Sequence, residues 1–447
     1  MELFERKIYN DLVRWKSDDA GSTAVIIDGA RRVGKSTVAE EFGKRNYRSY
    51  LILDFSEQDG SLRRIFDLFP SDKDAFFDRL QIYFNKKLYV RESLIIFDEV
   101  QYFPRAREMI KFLVKDGRYD YLETGSLISL VENTKNIQIP SEERHLSMYP
   151  MDFEEFLMAK GEEDAVEILR RAYESESALG DAVHRRMMDL FQRYMLVGGM
   201  PQAVSRYMQT GEISSAESVK RQILDLYRAD ILKIRNKNTA MRAIKLFNGI
   251  PSLLSSANKV FLPSKISENG RRSSFATSLE WLVQARLFLR CSRISDPSPA
   301  VNMFDDEDTF KCYLLDTGLL FTLAFGNRQE ELRENYLEIL DGSLGINEGM
   351  FFENVIAQEL AAVGRPLKFL QWKKSDGRYY EVDFVLDGIR ACDLVEVKSA
   401  QSARHRSLDV AGIRYADKVN RKIVVHGKDL RRDEDTLYLP AYMAMFL

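Results

Sequence analysis

Cysteine is nearly absent: Cys291, Cys312 and Cys392 are three in 447 residues, far apart and odd in number. That excludes a disulfide framework and any cysteine-based zinc spacing, and it predicts buried, reduced thiols. Histidine is almost as scarce. His145, His184, His405 and His426 show no paired ligand spacing, so surface or structural roles are expected for all four. No apolar run approaches the ~18 residues that a membrane-spanning helix needs. The opening MELFERKIYNDLVRW is charged and amphipathic, unlike a signal peptide, which points to a cytoplasmic protein with no membrane partner. Nor does one sign of charge dominate. A net charge of −3 gives no global attraction to nucleic acid, so any such site must be a local patch.

What is present is enough apolar material for real cores: 45% hydrophobic against 30% charged residues. The length predicts about two to four domains at roughly 150 residues each. The most informative stretch is AVIIDGARRVGKSTVAEEF, from Ala24 to Phe42. Ala24 to Ile27 read as a buried strand, and Thr37 to Phe42 open a helix. Between them Gly29, Ala30, Arg31, Arg32, Val33, Gly34, Lys35 and Ser36 match G-x-x-x-x-G-K-[ST] in full. Strand, glycine loop and helix together make this a phosphate site. The glycines allow consecutive backbone N–H groups to point inward, and the helix adds its positive N-terminal end. Lys35 is expected on the β- and γ-phosphates of ATP, with Ser36 on Mg²⁺ and Thr37 beside it.

The partner of such a loop is a carboxylate at a neighbouring strand end. SLIIFD, Ser93 to Asp98, is a buried apolar run followed by Glu99. Asp98 is expected to help hold Mg²⁺ and Glu99 to polarise the attacking water. YDYLETGS, Tyr119 to Ser126, reads as a further strand whose Thr124 or Ser126 meets the γ-phosphate or the water; ordinary turn chemistry is the alternative. With Tyr50 to Phe55 and Leu146 to Tyr149, five strands and their helices predict a three-layer α/β sheet, one strand separating the loop strand from the Asp-Glu strand. Residues 59 to 88 read as one helical stretch.

Several segments resemble an AAA-type P-loop ATPase of the prokaryotic branch whose members carry a distinctive C-terminal domain of uncharacterised function. They are GARRVGKST at 29–37, FDEVQ at 97–101, ETGS at 123–126, MYPMDFEEFL at 148–157, YMLVGGMPQAV at 194–204, KCYLLDTGLL at 311–320, FENVIAQEL at 352–360, VDFVLDG at 382–388 and VEVKS at 395–399. The resemblance implies a P-loop ATPase domain over 1–158. No arginine finger stands out; Arg144 is a candidate and a solvated surface arginine the blander reading.

Residues 159–236 are helical in pattern, where an ATPase lid would sit, broken at Gly198-Gly199-Met200-Pro201. Over 237–316, three helices and two short strands, Leu289 to Ile294 and Lys311 to Leu315, read as a winged helix. Arg271, Arg272, Ser273 and Ser274 would lead its third helix toward DNA, unless they are solvated loop charges. Over 317–447, Glu353 lies on a helix, and the runs 379–386 and 392–399 read as a hairpin. Side chains alternate along a strand, so Asp383, Glu396 and Lys398 can meet there, with Glu353 beneath.

Three carboxylates and a lysine suit metal-dependent phosphodiester cleavage, with Glu353, Asp383 and Glu396 on Mg²⁺ or Mn²⁺. The arrangement resembles the PD-(D/E)xK nuclease fold, whose signature here is Asp383 and Glu396-x-Lys398. Gln401 and Tyr415 fall near the accessory positions of some relatives. The expectation is an ATP-hydrolysing protein whose nucleotide state controls a DNA-directed, nuclease-like module, with a homo-oligomer as a further partner. The alternative is an ATP-dependent switch whose nuclease-like fold is inactive.

Overall fold

The computed structural model of the chain describes residues 4–56, 60–69, 71–125, 142–256, 259–266, 272–298, 305–326, 336, 348–398 and 405–447. They divide into two compact units. One holds Glu5–Tyr149 with Gln284–Arg286, and the other holds Pro150–Val283 and Leu287–Leu447.

The first unit is built on five parallel strands: β1 Ala24–Asp28, β2 Ser49–Asp54, β3 Ser93–Asp98, β4 Asp120–Gly125 and β5 Glu143–Ser147. Their order is β2-β3-β4-β1-β5, so β4 separates the glycine-loop strand from the Asp-Glu strand. Every residue of β1, β3 and β4 is buried, as expected of strands covered on both faces, and this is why they read as continuous apolar runs. A phenylalanine cluster fills one side: Phe66 meets Phe55, Phe76, Phe97 and Phe103 with ring centroids 5.2–5.9 Å apart, each pair edge-to-face. The expected continuous helix over 59–88 is instead Gly60–Ile65, a 3₁₀ turn Phe66–Leu68, and Lys73–Phe84. Pro70 explains the break, since a residue before proline is pushed out of the helical region; Phe69 has ψ 140°. Asp72 restarts the helix by accepting from Ala75 N–H at 2.9 Å.

The second unit begins with helices Phe153–Ala159, Glu163–Glu174, Asp181–Val197, Pro201–Thr210, Ile213–Ile231 and Lys237–Leu254. Helix Arg272–Gln284 and strands β6 Phe288–Ile294 and β7 Asp305–Leu314 follow. The β6–β7 hairpin expected of a wing forms, yet it is half of a larger sheet. β6 also pairs in parallel with β8 Lys368–Lys373, which pairs with β9 Tyr379–Val382, giving the order β7-β6-β8-β9. A second sheet contains β10 Phe384–Leu386, β11 Cys392–Val397, β12 Val419–His426, β13 Arg431–Asp433 and β14 Thr436–Pro440, ordered β10-β11-β12-β14-β13. The run 379–386 is therefore shared between two sheets, and it changes sheet at Asp383.

Four of the sequence segments singled out above are packing partners in this unit. Gly199 N–H donates to Asp316 Oδ2 at 2.6 Å, and Met151 N–H donates to Gly199 O at 2.7 Å. A Cβ on Gly199 would lie 1.9 Å from the Met151 carbonyl oxygen, so only glycine fits. Asp316 also caps helix Thr317–Phe325 through Leu319 N–H at 2.8 Å. Gln358 of helix Glu348–Ala362 accepts from Thr317 N–H and donates to the Tyr194 hydroxyl, each at 2.8 Å or less.

Candidate functional site

The nucleotide site grows from the end of β1. Gly34 is the N-cap of helix Lys35–Asn46 with φ 101°, a left-handed value that favours glycine. Gly29 is required by space, because a Cβ there would meet Met148 O at 2.3 Å. Arg6, buried, donates from Nη1 to Val33 O and from Nη2 to Tyr149 O, both at 2.7 Å, and so pins the loop from outside. Lys35 is 5% exposed, and its ammonium donates to the loop's own carbonyls, Gly29 O at 3.1 Å and Ala30 O at 3.0 Å. Burial lowers its pKa, against the pull of Glu99, Asp98 and Asp28. A phosphate entering the loop would give that ammonium a better partner than two carbonyls.

The carboxylates sit at the end of β3. Asp98 Oδ1 accepts from Ser36 Oγ at 2.7 Å and from Thr124 Oγ1. Two hydroxyls and a carboxylate from three separate segments thus converge on one point. A hydroxyl beside a carboxylate is a hard-oxygen donor set suited to Mg²⁺, so the residues fit the ion that a P-loop implies. Glu99 follows in the left-handed region with φ 53°, which turns its side chain out of the strand line. Its N–H donates to Thr124 Oγ1 at 3.2 Å, and its carboxylate accepts from Gln101 Nε2. Thr37 is exposed on the first turn of helix Lys35–Asn46. Thr124 therefore faces Asp98, whereas Ser126 lies outside the described residues. Arg144 is paired with Asp19 at 3.6 Å and is 43% exposed. The sequence reading missed Arg6 and Gln101. Nothing marks Arg6 in the sequence, but Gln101 stands two residues from Glu99 within FDEVQ.

The C-terminal residues do come together. Glu353, buried on its helix, has Lys311 Nζ at 3.2 Å and the Tyr313 hydroxyl at 2.5 Å on Oε1, and Lys259 on Oε2. Lys311 Nζ also lies 2.7 Å from Glu381 Oε1 and 3.4 Å from Asp383 Oδ1. Asp383 Oδ2 accepts from Val397 N–H at 2.9 Å. That bond spans the point where the chain passes from β9 to β10 and explains how the carboxylate is held at the junction. Lys398 donates to Glu396 Oε1 at 2.6 Å. Burial and the neighbouring Asp383 push Glu396 up to about 8, while for Glu353 burial is outweighed by Lys311 and Lys259, which hold it down at about 2.

A lysine ammonium, then, occupies the middle of these carboxylates. Among the described residues, no group of three or more His, Cys, Asp or Glu is arranged to hold a metal ion. The sequence reading missed Lys259 and Lys311. A lone lysine in the apolar strand TFKCYLL was the available signal for Lys311. Tyr415 packs in the core of this region with its hydroxyl toward Ser295 O at 3.5 Å. Gln401 and Arg271 lie outside the described residues, as does the side chain of Arg272. No helix among the described residues is long and apolar enough to cross a membrane.

Residues 21–157 match the AAA domain family, residues 188–331 a domain of unknown function (DUF8612), and residues 348–442 another (DUF4143). The parallel five-stranded sheet and glycine loop of the first unit thus fit an AAA-type P-loop fold. No curated protein matches the chain. Among solved structures, the Walker-type ATPase of Pyrococcus abyssi is 15% identical over 72% of this chain and 96% of its own, with a TM-score of 0.40. Drosophila ORC bound to DNA is 14% identical over 69% and 92%, with a TM-score of 0.28. The Thermotoga maritima RuvB Holliday junction branch migration motor is 14% identical over 64% and 89%, with a TM-score of 0.29. At these identities and scores the likeness carries neither activity nor partner over to this chain.

Proposed function

We propose that the protein binds and hydrolyses ATP at the glycine loop, and that its nucleotide state governs the C-terminal nuclease-like module. The observation that supports this most is the Asp98 carboxylate, which gathers the Ser36 and Thr124 hydroxyls beside the phosphate cradle. The loop N–H groups and Lys35 bind the phosphates, and Ser36 with Asp98 would hold Mg²⁺, which when bound neutralises phosphate charge. Glu99, one residue beyond, orients and polarises the attacking water, with Gln101 as its positioning residue. Lys35→Ala should abolish binding of a fluorescent ATP analogue while Glu99→Gln leaves it intact. Equal loss in both variants would contradict these roles.

For the C-terminal module one observation favours the second reading, an ATP-dependent switch whose nuclease-like fold does not cleave: Lys311 stands among the carboxylates that cleavage would reserve for a metal. DNA as its partner is supported by sequence alone, through Arg271 and Arg272. Their double alanine substitution should weaken DNA binding and flatten its salt dependence. A homo-oligomer belongs to the same proposal and is tested by light scattering with and without ATP.

A further inference from the structure

The C-terminal cluster is closed to a metal by its own side chains. Taken oxygen by oxygen, Glu353 uses Oε1 on Lys311 and Tyr313 and Oε2 on Lys259. Glu381 uses Oε1 on Lys311 and Oε2 on Gln371 Nε2 at 2.8 Å. Asp383 uses Oδ1 on Lys311 and Oδ2 on Val397 N–H. Glu396 uses Oε1 on Lys398, and only its Oε2 is without a hydrogen-bond partner among the described residues. One open oxygen does not bind a hard divalent ion, which takes about six oxygen ligands.

We propose that the Lys311 ammonium, seconded by Lys259, is the resident cation of this cluster and takes the place of a divalent metal ion. The inference rests on reading the module as nuclease-like in its arrangement, and it is independent of ATP hydrolysis. The spacing fits an ammonium. Its nitrogen lies 2.7–3.4 Å from carboxylates of Glu381, Glu353 and Asp383, whereas oxygens around Mg²⁺ or Ca²⁺ sit at ~2.0–2.6 Å. The charge fits as well: Glu353, Glu381, Asp383 and Glu396 face Lys259, Lys311 and Lys398, so the three ammonium groups bring the cluster within one charge of balance with no divalent ion.

Lys311 is not free to withdraw. Its side chain is 0% exposed. Its backbone is paired with Cys291 of β6 on one side and bridged to Val260 on the other, and the Phe369 ring lies 5.0 Å from its ammonium. Moving that ammonium off its carboxylates within this buried position would leave a charge unpaired, at a cost no exposed lysine meets. A tethered ammonium also needs no metal supply, and it activates no water. The cluster therefore organises the meeting of β7, β9, β11 and helix Glu348–Ala362 and has no metal-dependent hydrolytic step.

The test is thermal unfolding of the full chain without nucleotide, in chelator and in excess Mn²⁺. The wild-type midpoint should not move with Mn²⁺. Lys311→Met keeps the apolar stem and removes the charge, so the carboxylates should repel and the midpoint in chelator should fall. Mn²⁺ should then raise it by about 4 °C or more, a shift that Lys311→Met with Asp383→Asn loses. If Lys311→Met does not fold, Lys259→Met, at the more exposed edge and freeing Glu353 Oε2, should show the smaller Mn²⁺ rescue. A wild-type Mn²⁺ shift abolished by Asp383→Asn would overturn the proposal. So would a folded lysine variant that gains nothing from Mn²⁺. Because nucleotide is absent, failure of the ATPase reading would show in hydrolysis and binding assays and leave this outcome untouched.

Discussion

Replacing Gly199 by alanine asks whether the Gly-Gly-Met-Pro corner is held by backbone contact, as the structure has it. The new methyl group would sit 1.9 Å from Met151 O and 2.8 Å from Met151 N, both backbone atoms with no side chain to bend away. Relief requires the two segments to part. That breaks the 2.7 Å bond from Met151 N–H to Gly199 O and the 2.6 Å bond from Gly199 N–H to the buried Asp316 carboxylate. A bond to a charged group contributes roughly 1.5–3 kcal/mol and an ordinary backbone bond about 1. Overpacking adds about 1–3. The total, about 3.5–7 kcal/mol, is a large share of the ~5–15 kcal/mol that stabilises a typical domain. Thermal unfolding by circular dichroism should show the midpoint down by about 10 °C, at roughly 2–4 °C per kcal/mol for a domain of this size. Gly60→Ala is the control: nothing lies within 4 Å of its Cβ, it opens helix Gly60–Ile65, and the variant should match or slightly exceed wild type. A Gly199→Ala midpoint within about 2 °C of wild type would refute the reasoning.

Three further outcomes follow from single sites. Burial pushes Asp316 up to about 6 against the N–H bonds from Leu319 and Gly199, so the folded state keeps its proton while the unfolded chain, at 3.8, loses it. Stability should fall as pH rises through that window, by about 3 kcal/mol, and urea unfolding of Asp316→Asn should lack that component. Phe66→Ala empties the centre of the phenylalanine cluster and should cost about 3–5 kcal/mol in chemical unfolding of the first unit. Arg6→Met removes the clamp on Val33 O; it should raise KM for ATP several-fold and leave kcat within about twofold in steady-state assays, since Arg6 shapes the loop and touches no reacting atom.

The phosphate site was legible because its logic is local. Ala24 to Phe42 carries strand, loop and helix in one run, and Asp98-Glu99 closes an apolar strand whose burial on both faces shows in its composition. Even there, Pro70 announced a break within 59–88 that helical periodicity alone had smoothed over. The C-terminal cluster was legible only in its carboxylates. YYEVDFVL alternates like one strand, and its division at Asp383 depends on β8 and β11, partners that alternation does not name. Lys311 was illegible for the same reason: a lysine in an apolar strand looks like an edge residue. It is buried here because Glu353, Glu381 and Asp383, supplied from 42 to 72 residues later, surround it. The two strands expected over 289–294 and 311–315 form, whereas their membership of a four-stranded sheet was set by β8, beyond the boundary expected at residue 316.

The central claim is that Asp98 and Glu99 serve hydrolysis at the P-loop, and steady-state phosphate release from ATP in Mg²⁺ tests it most directly. Wild-type protein should release phosphate in a Mg²⁺-dependent reaction. Glu99→Gln should bind ATP as well as wild type while turnover drops by about 10²–10⁴-fold, the range for losing a general base. Absence of Mg²⁺-dependent release by the wild type, or an undiminished rate in Glu99→Gln, would contradict the account.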